Sequence, residues 1–178
     1  LFVFVDGFDA QAMGFVAPAL GADLQIARSV LGTVISAGLV GMMAGALVGG
    51  PVADRIGRRP VLVTCALVFG AGSLLTATAQ SVEGLAAFRA LTGLGMGGAM
   101  PNAIALTSEY MPRRRRGTAV TTMICGFSLG AAVGGFVAAE IIPRFGWEAV
   151  FVVGGVAPIL IAGAAFLWLP DSIRFLVV

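Results

Sequence analysis

The chain has 178 residues, of which 58% are hydrophobic and 11% charged, and its mean hydropathy is +1.00. Soluble domains are about half apolar and a quarter charged, so an ordinary water-soluble fold is excluded and membrane-spanning helices are implied. The net charge of +2 rests on eleven basic residues, all arginine and mostly gathered in two short stretches between apolar runs, which fits orientation in a bilayer and not nucleic acid.

A spanning helix needs about 20 apolar residues. The chain has room for six, predicted at 1–20, 29–50, 60–79, 83–108, 118–139 and 149–169. The expected fold class is an all-α membrane protein with six transmembrane helices. The first run opens at Leu1 without Met or a basic flank, so it does not read as a signal peptide. The chain is expected to have been trimmed at its N-terminus, and the tail after Ser172 also stops without a natural ending. Helix 1 carries Asp6 and Asp9, whose spacing of three puts both on roughly one face. Counted back from Leu20, Asp9 lies roughly 16 Å from the outer end, near the middle of a core about 30 Å thick. Carboxylates at that depth are costly and face a bundle interior or an aqueous cavity. The alternative is a later helix start with both groups interfacial, which the apolar run Leu1–Val5 opposes.

A polar turn, Gly21–Gln25 with Arg28 after it, leads to helix 2. That helix carries Gly41, Gly45 and Gly49 at spacings of four, a stripe suited to close helix approach. Then comes Gly50-Pro-Val-Ala-Asp-Arg-Ile-Gly-Arg-Arg59. Its Gly-Pro step can end a helix, and Gly57 permits a tight reversal. Asp54, Arg55, Arg58 and Arg59 require a water-facing edge. Helix 3 has no charge and reads as supporting and lipid-facing. Helix 4 holds Arg89, about one and a half turns in from Glu83, which either snorkels to the interface or pairs within the bundle. Its Gly93, Gly95 and Gly98 match a dinucleotide-binding spacing, but there is no βαβ context, so they read as a packing surface, with Pro101 as a local kink. After Glu109 come Tyr110-Met-Pro and Arg113–Arg116, a topology signal that also suits anionic lipid. Helix 5 repeats the stripe with Gly126, Gly130 and Gly134. The turn Glu140–Glu148 includes an interfacial Trp147, and helix 6 ends at Pro170. Cys65 and Cys125 lie in apolar runs as packing residues.

Charge alternates between turns. Arg55, Arg58, Arg59 and Arg113–Arg116 mark turns 2–3 and 4–5, so the positive-inside rule places these, the N-terminus and the tail on the cytoplasmic side. A faint internal echo links Gly41 and Gly45 to Gly130 and Gly134, and Arg55-Ile-Gly57 to Arg144-Phe-Gly146, each 89 positions apart. Three helices per unit would place the second unit inverted in the membrane.

The stretch 50–59 resembles the loop between the second and third helices of the major facilitator superfamily, and the run from Arg89 to Asn102 is similar to that superfamily's fourth-helix motif. The resemblance implies the N-terminal half of a twelve-helix fold with a 3+3 inverted repeat. The C-terminal half would be the missing partner, and this chain alone should not transport. Asp6-Gly-Phe-Asp9 with the following Ala-Met-Gly-Phe-Val-Ala-Pro-Ala-like run, and the tail Leu169–Leu176, look like the aromatic acid:proton symporter family. That likeness implies proton-coupled symport of 4-hydroxybenzoate- or protocatechuate-like carboxylates into the cytoplasm by alternating access, across the bacterial inner membrane. It assigns substrate and proton coupling to Asp6, Asp9 and Arg89. Conformational gating falls to Gly50, Asp54, Arg55, Gly57, Arg58, Arg59 and Glu109. The proton is the coupling ion, with no other cofactor and no metal. The expected partners are a small aromatic acid, the proton, membrane lipid and the C-terminal half, and no nucleic acid. The alternative is a major facilitator transporter of another organic anion, a sugar or a drug. A membrane enzyme is disfavoured because there is no His and no Cys cluster. A six-helix structural or receptor-like protein would require Arg89 to snorkel and Asp6 to be interfacial.

Overall fold

The computed structural model describes residues 1–23 and 28–168. Part of the first polar turn (24–27) and the tail from Leu169, with its expected helix end at Pro170, lie outside the described residues. Six long helices follow one another: α1 Phe2–Asp23, α2 Arg28–Ile56, α3 Arg58–Ala77, α4 Val82–Tyr110, α5 Arg116–Phe145 and α6 Glu148–Trp168, with a 3-10 turn at Arg113–Arg115. At a rise of about 1.5 Å per residue, each is long enough to cross a bilayer. Four of them, α2, α3, α5 and α6, are both long and apolar enough to do so. The other two, α1 and α4, carry the buried charges Asp6, Asp9 and Arg89.

Two expected breaks prove to be helix. The Gly50-Pro51 step does not end α2, which continues to Ile56, and Pro143 lies inside α5, within a stretch expected as a turn. Prolines are tolerated in spanning helices because neighbouring groups re-satisfy the freed carbonyls. The breaks fall instead at Gly57 and Gly146, with φ of 96° and 82°, which side chains other than glycine rarely adopt. Each closes its helix in the same way. The Gly57 amide donates to Ala53 O at 3.0 Å, and the Gly146 amide donates to Ile142 O at 3.1 Å.

The packing follows the inverted repeat. α2 lies on α4 and α5 lies on α1 as counterparts, while α3 packs on α4 far more extensively than its counterpart α6 packs on α1. A Cβ on Gly41 or Gly45 would collide with the backbone of Ala90 or Leu94, and one on Gly130 or Gly134 would meet Phe4 or Phe8. Reciprocally, Gly7 lies against the Phe127 backbone and Gly93 against that of Gly38. The α3–α6 crossing is its own counterpart. A Cβ on Gly70 would stand 2.7 Å from Gly155 O, and one on Gly155 would stand 2.8 Å from Gly70 O. Gly126, expected in the α5 stripe, faces open space. α3 is not simply lipid-facing, since Val61, Leu62, Ala66, Phe69, Ser73 and Thr76 are buried between α4 and α6.

An apolar core of Val16, Leu20, Leu31, Val34, Leu85, Val150 and Phe151 fills one end of the bundle. Trp147 Nε1 closes that end by donating to Asp23 Oδ2 at 3.0 Å, and Ser81 Oγ caps α4 by accepting from the Gly84 amide at 3.1 Å.

Candidate functional site

A guanidinium held among apolar helices must find an anion, because an unpaired buried charge costs several kcal/mol. Arg89 of α4 finds Asp9 of α1: Nη2 lies 2.9 Å from Oδ2, with Asp9 0% and Arg89 7% exposed. Arg89 is therefore paired and does not snorkel. Its guanidinium also stands over the ring of Phe151 from α6, with Cζ 5.5 Å from the centroid. Ser73 of α3 donates to Phe151 O at 3.0 Å and lies 3.4 Å from Asp9 Oδ1. One centre thus draws on α1, α3, α4 and α6.

Three buried polar atoms here have no hydrogen-bond partner among the described residues: Asp6 Oδ1, Arg89 Nη1 and Asp9 Oδ2, the last of which meets Arg89 Nη2 as an ion pair. Asp6, one turn from Asp9, lines a cavity of about 480 Å³ with Met42, Met96, Met100, Ile124 and Phe127. That volume lies within the range of about 300–1,000 Å³ typical of small-molecule sites. The wall is apolar, and Asp6 is the one charged residue among those that line it, a surface suited to the apolar body of a ligand. The glycines of α4 allow this arrangement. Gly93 and Gly97 let α2 approach to backbone contact, and Gly95 does the same for α3 at Phe69 and Cys65. They serve as packing surfaces.

The expected gating residues separate into groups. Arg58 Nε lies 3.1 Å from Glu109 Oε1, joining the start of α3 to the end of α4. Asp54 Oδ1 is 4.0 Å from Arg58 Nη2, and its side chain is 75% exposed. Arg59 turns instead to α6, donating to Phe166 O with its guanidinium 5.7 Å from the Phe166 ring. Gly57 is the break itself, Arg55 is exposed, and Gly50 has open space around it. Arg113–Arg116 are all exposed at this same end.

Sequence reasoning missed Ser73 and Phe151. Ser73 carried a usable signal, a hydroxyl inside the small-residue run Gly70-Ala-Gly-Ser of an uncharged helix. Phe151 had none, since nothing distinguishes it from the other aromatics of α6.

The curated relatives are membrane transporters. The chain is 54% identical along its whole length to the 4-hydroxybenzoate transporter PcaK of Pseudomonas putida, spanning 40% of that protein. It is 52% identical along its whole length to PcaK of Acinetobacter baylyi, spanning 39% of that protein. A gallate transporter of Pseudomonas putida is 44% identical over 99% of the chain, which spans 39% of it. The chain thus spans about 40% of the length of these relatives, their N-terminal part. Among solved structures, a D-xylose-proton symporter superposes with a TM-score of 0.85 at 20% identity, covering 99% of this chain and 48% of that one, a likeness of fold. The family model for the major facilitator superfamily matches residues 1–175, and the chain belongs to that superfamily as a six-helix half of its fold.

Proposed function

We propose that the full-length transporter containing this chain moves small aromatic carboxylates together with protons into the bacterial cytoplasm by alternating access. Asp6, Asp9 and Arg89 would be its coupling residues. The observation that carries this reading is the buried Asp9–Arg89 pair with Arg89 Nη1 left unused. A protonated Asp9 no longer neutralises Arg89, which then takes the cargo carboxylate through a bidentate pair. Once cargo and proton leave, Asp9 again compensates Arg89, and the cavity holds no unpaired charge in either state. Asp6 lies one turn away on the same helix. Met42, Met96 and Met100 give the aromatic ring a soft apolar seat. The names of the relatives support the cargo class: 4-hydroxybenzoate, gallate and 3-(3-hydroxy-phenyl)propionate transporters.

In this reading the C-terminal half closes over the cavity, and Asp54, Arg55, Arg58, Arg59 and Glu109 with Gly50 and Gly57 gate the cytoplasmic side. The proton is the coupling ion and no other cofactor takes part. The protein lies in the inner membrane, in contact with its lipid, with the arginine-rich ends in the cytoplasm.

The test is uptake of labelled 4-hydroxybenzoate by the full-length protein in sealed vesicles, with and without an inward proton gradient. Gradient-driven uptake that disappears in Asp9→Asn and Arg89→Ala is the expected result. Uptake indifferent to the gradient would refute coupling. No uptake by well-inserted protein would refute the cargo class, and a panel of other organic anions and sugars would follow.

A further inference from the structure

The helices outside the cavity, α3 and α6, reach the ion pair through two uncharged residues. Ser73 has one hydroxyl proton and two lone pairs. One of its neighbours, Phe151 O, only accepts and lies 3.0 Å away. The other, Asp9 Oδ1, lies 3.4 Å away and accepts when ionised, but can donate when protonated. Phe151 in turn offers its carbonyl to Ser73 and its ring face to Arg89, so one residue of α6 touches both sides of the pair. Gly154 leaves room for this. A Cβ there would stand 3.4 Å from Ser73 Oγ and 3.5 Å from Asp9 Oδ1. The Gly70–Gly155 crossing fixes the two helices beside it.

We propose that Ser73 is a positioning residue that serves Asp9 in both protonation states, with Phe151 as the fixed acceptor that makes this possible. With Asp9 ionised, the Ser73 hydroxyl turns its proton toward the carboxylate. With Asp9 protonated, the carboxyl donates to Ser73 Oγ, and the hydroxyl turns wholly to Phe151 O. Rotation of one hydroxyl satisfies each state and moves no helix. Ser73 transfers no proton itself. The titratable or charged groups near Asp9, among the described residues, are Asp6 on α1 and Arg89 on α4, with the Cys65 thiol on α3 within electrostatic reach of Asp6. From α5 and α6 the nearby residues are Phe127, Phe151 and Gly154, which are uncharged.

This inference rests on Asp9 being the proton-coupled group of the proposed function, and its test separates the two. The full-length transporter, as wild type, Ser73→Ala and Ser73→Thr, is reconstituted in sealed vesicles, and uptake of labelled 4-hydroxybenzoate is followed across a pH series. Removing the hydroxyl takes a charge-assisted donor from the Asp9 anion and only a neutral acceptor from its protonated form, so the anion loses more. The Ser73→Ala midpoint therefore moves to higher pH by about 0.5–1 unit, the size of the difference between the two bonds. Ser73→Thr, which keeps the hydroxyl, restores the wild-type midpoint. If Ser73→Ala is too slow for uptake, binding of 4-hydroxybenzoate to the purified protein across the same pH series reads the midpoint. An unchanged midpoint in Ser73→Ala, or an equal shift in Ser73→Thr, overturns the role and leaves a packing residue. Wild-type uptake with no pH dependence overturns the coupled reading, and this role with it.

Discussion

Arg89 shows what a single residue must satisfy inside a bilayer. Its charge is met by Asp9, and its flat face lies on Phe151, where a planar guanidinium fits and a compact ammonium does not. Arg89→Lys is therefore expected to insert normally yet lose at least about tenfold in uptake, read as loss of apparent affinity for the carboxylate, because a point charge cannot make the bidentate pair. Asp9→Asn leaves the cation buried and unpaired, which should destabilise the protein by about 3–5 kcal/mol. Asp9→Asn combined with Arg89→Gln should regain much of that stability while staying inactive, and thermal unfolding in detergent with uptake alongside would check both. Asp6, Asp9 and Arg89 were legible in the sequence because a charge at membrane depth demands a reason. Which aspartate meets the arginine was not legible, since the two lie one turn apart and the choice depends on how α1 and α4 are rotated. Phe151 escaped because an aromatic ring is not costly in a helix, and Ser73 because its one signal, a hydroxyl in a run of small residues, is far weaker than a charge.

At the scale of the element, glycines decide how closely the helices pack. Gly45 and Gly130 hold two helices at backbone contact, so Gly45→Val and Gly130→Val are both expected to abolish a monodisperse folded species in size-exclusion chromatography. Gly126→Val faces open space and should leave the elution profile unchanged. Equal behaviour of Gly126→Val and Gly130→Val would contradict the packing described. The stripes were visible as spacings of four, yet spacing alone ranked Gly126 with its neighbours. Whether a glycine is needed depends on what lies across from it, and that is tertiary information. Helix ends were legible less well for a related reason. Gly50-Pro51 and Pro143 are breakers by local propensity, but the surrounding bundle tolerates them, and these two breaks fall where the backbone has a positive φ, at Gly57 and Gly146. Gly57→Ala should cost about 1–3 kcal/mol in unfolding experiments, because φ 96° with ψ 155° is a region that essentially only glycine enters.

For the whole molecule, the two ends of the bundle differ in chemistry. One is closed by Trp147 and Asp23. The other gathers Arg58 between Asp54 and Glu109, with Arg59 on Phe166. Within this half the shorter contact of Arg58 is to Glu109, which leaves exposed Asp54 available to a partner surface in one of two states. Asp54→Asn is expected to keep ligand binding within about twofold while slowing turnover at least about tenfold, and equal loss of both would count against a gating role. In sidedness tests on the full-length protein, an impermeant thiol reagent should reach Arg114→Cys only from the cytoplasm and Glu83→Cys only from outside, with Cys65 and Cys125 replaced by Ser. The registers of the two repeats carry a further consequence. Gly7 and Gly93 correspond across 86 positions, but Gly41 and Gly130 across 89, so the second unit is three residues longer between its first and second helices' contact points. The gain falls between Leu94 and Phe127, a stretch that includes the short turn Arg113–Arg115. The stretch in which the two copies differ in length is thus also the one that carries four consecutive arginines. A variant lacking Arg113–Arg115 keeps Arg55, Arg58, Arg59 and Arg116 at that end, so glycosylation or protease mapping is expected to show a weakened orientation bias and not a reversed one.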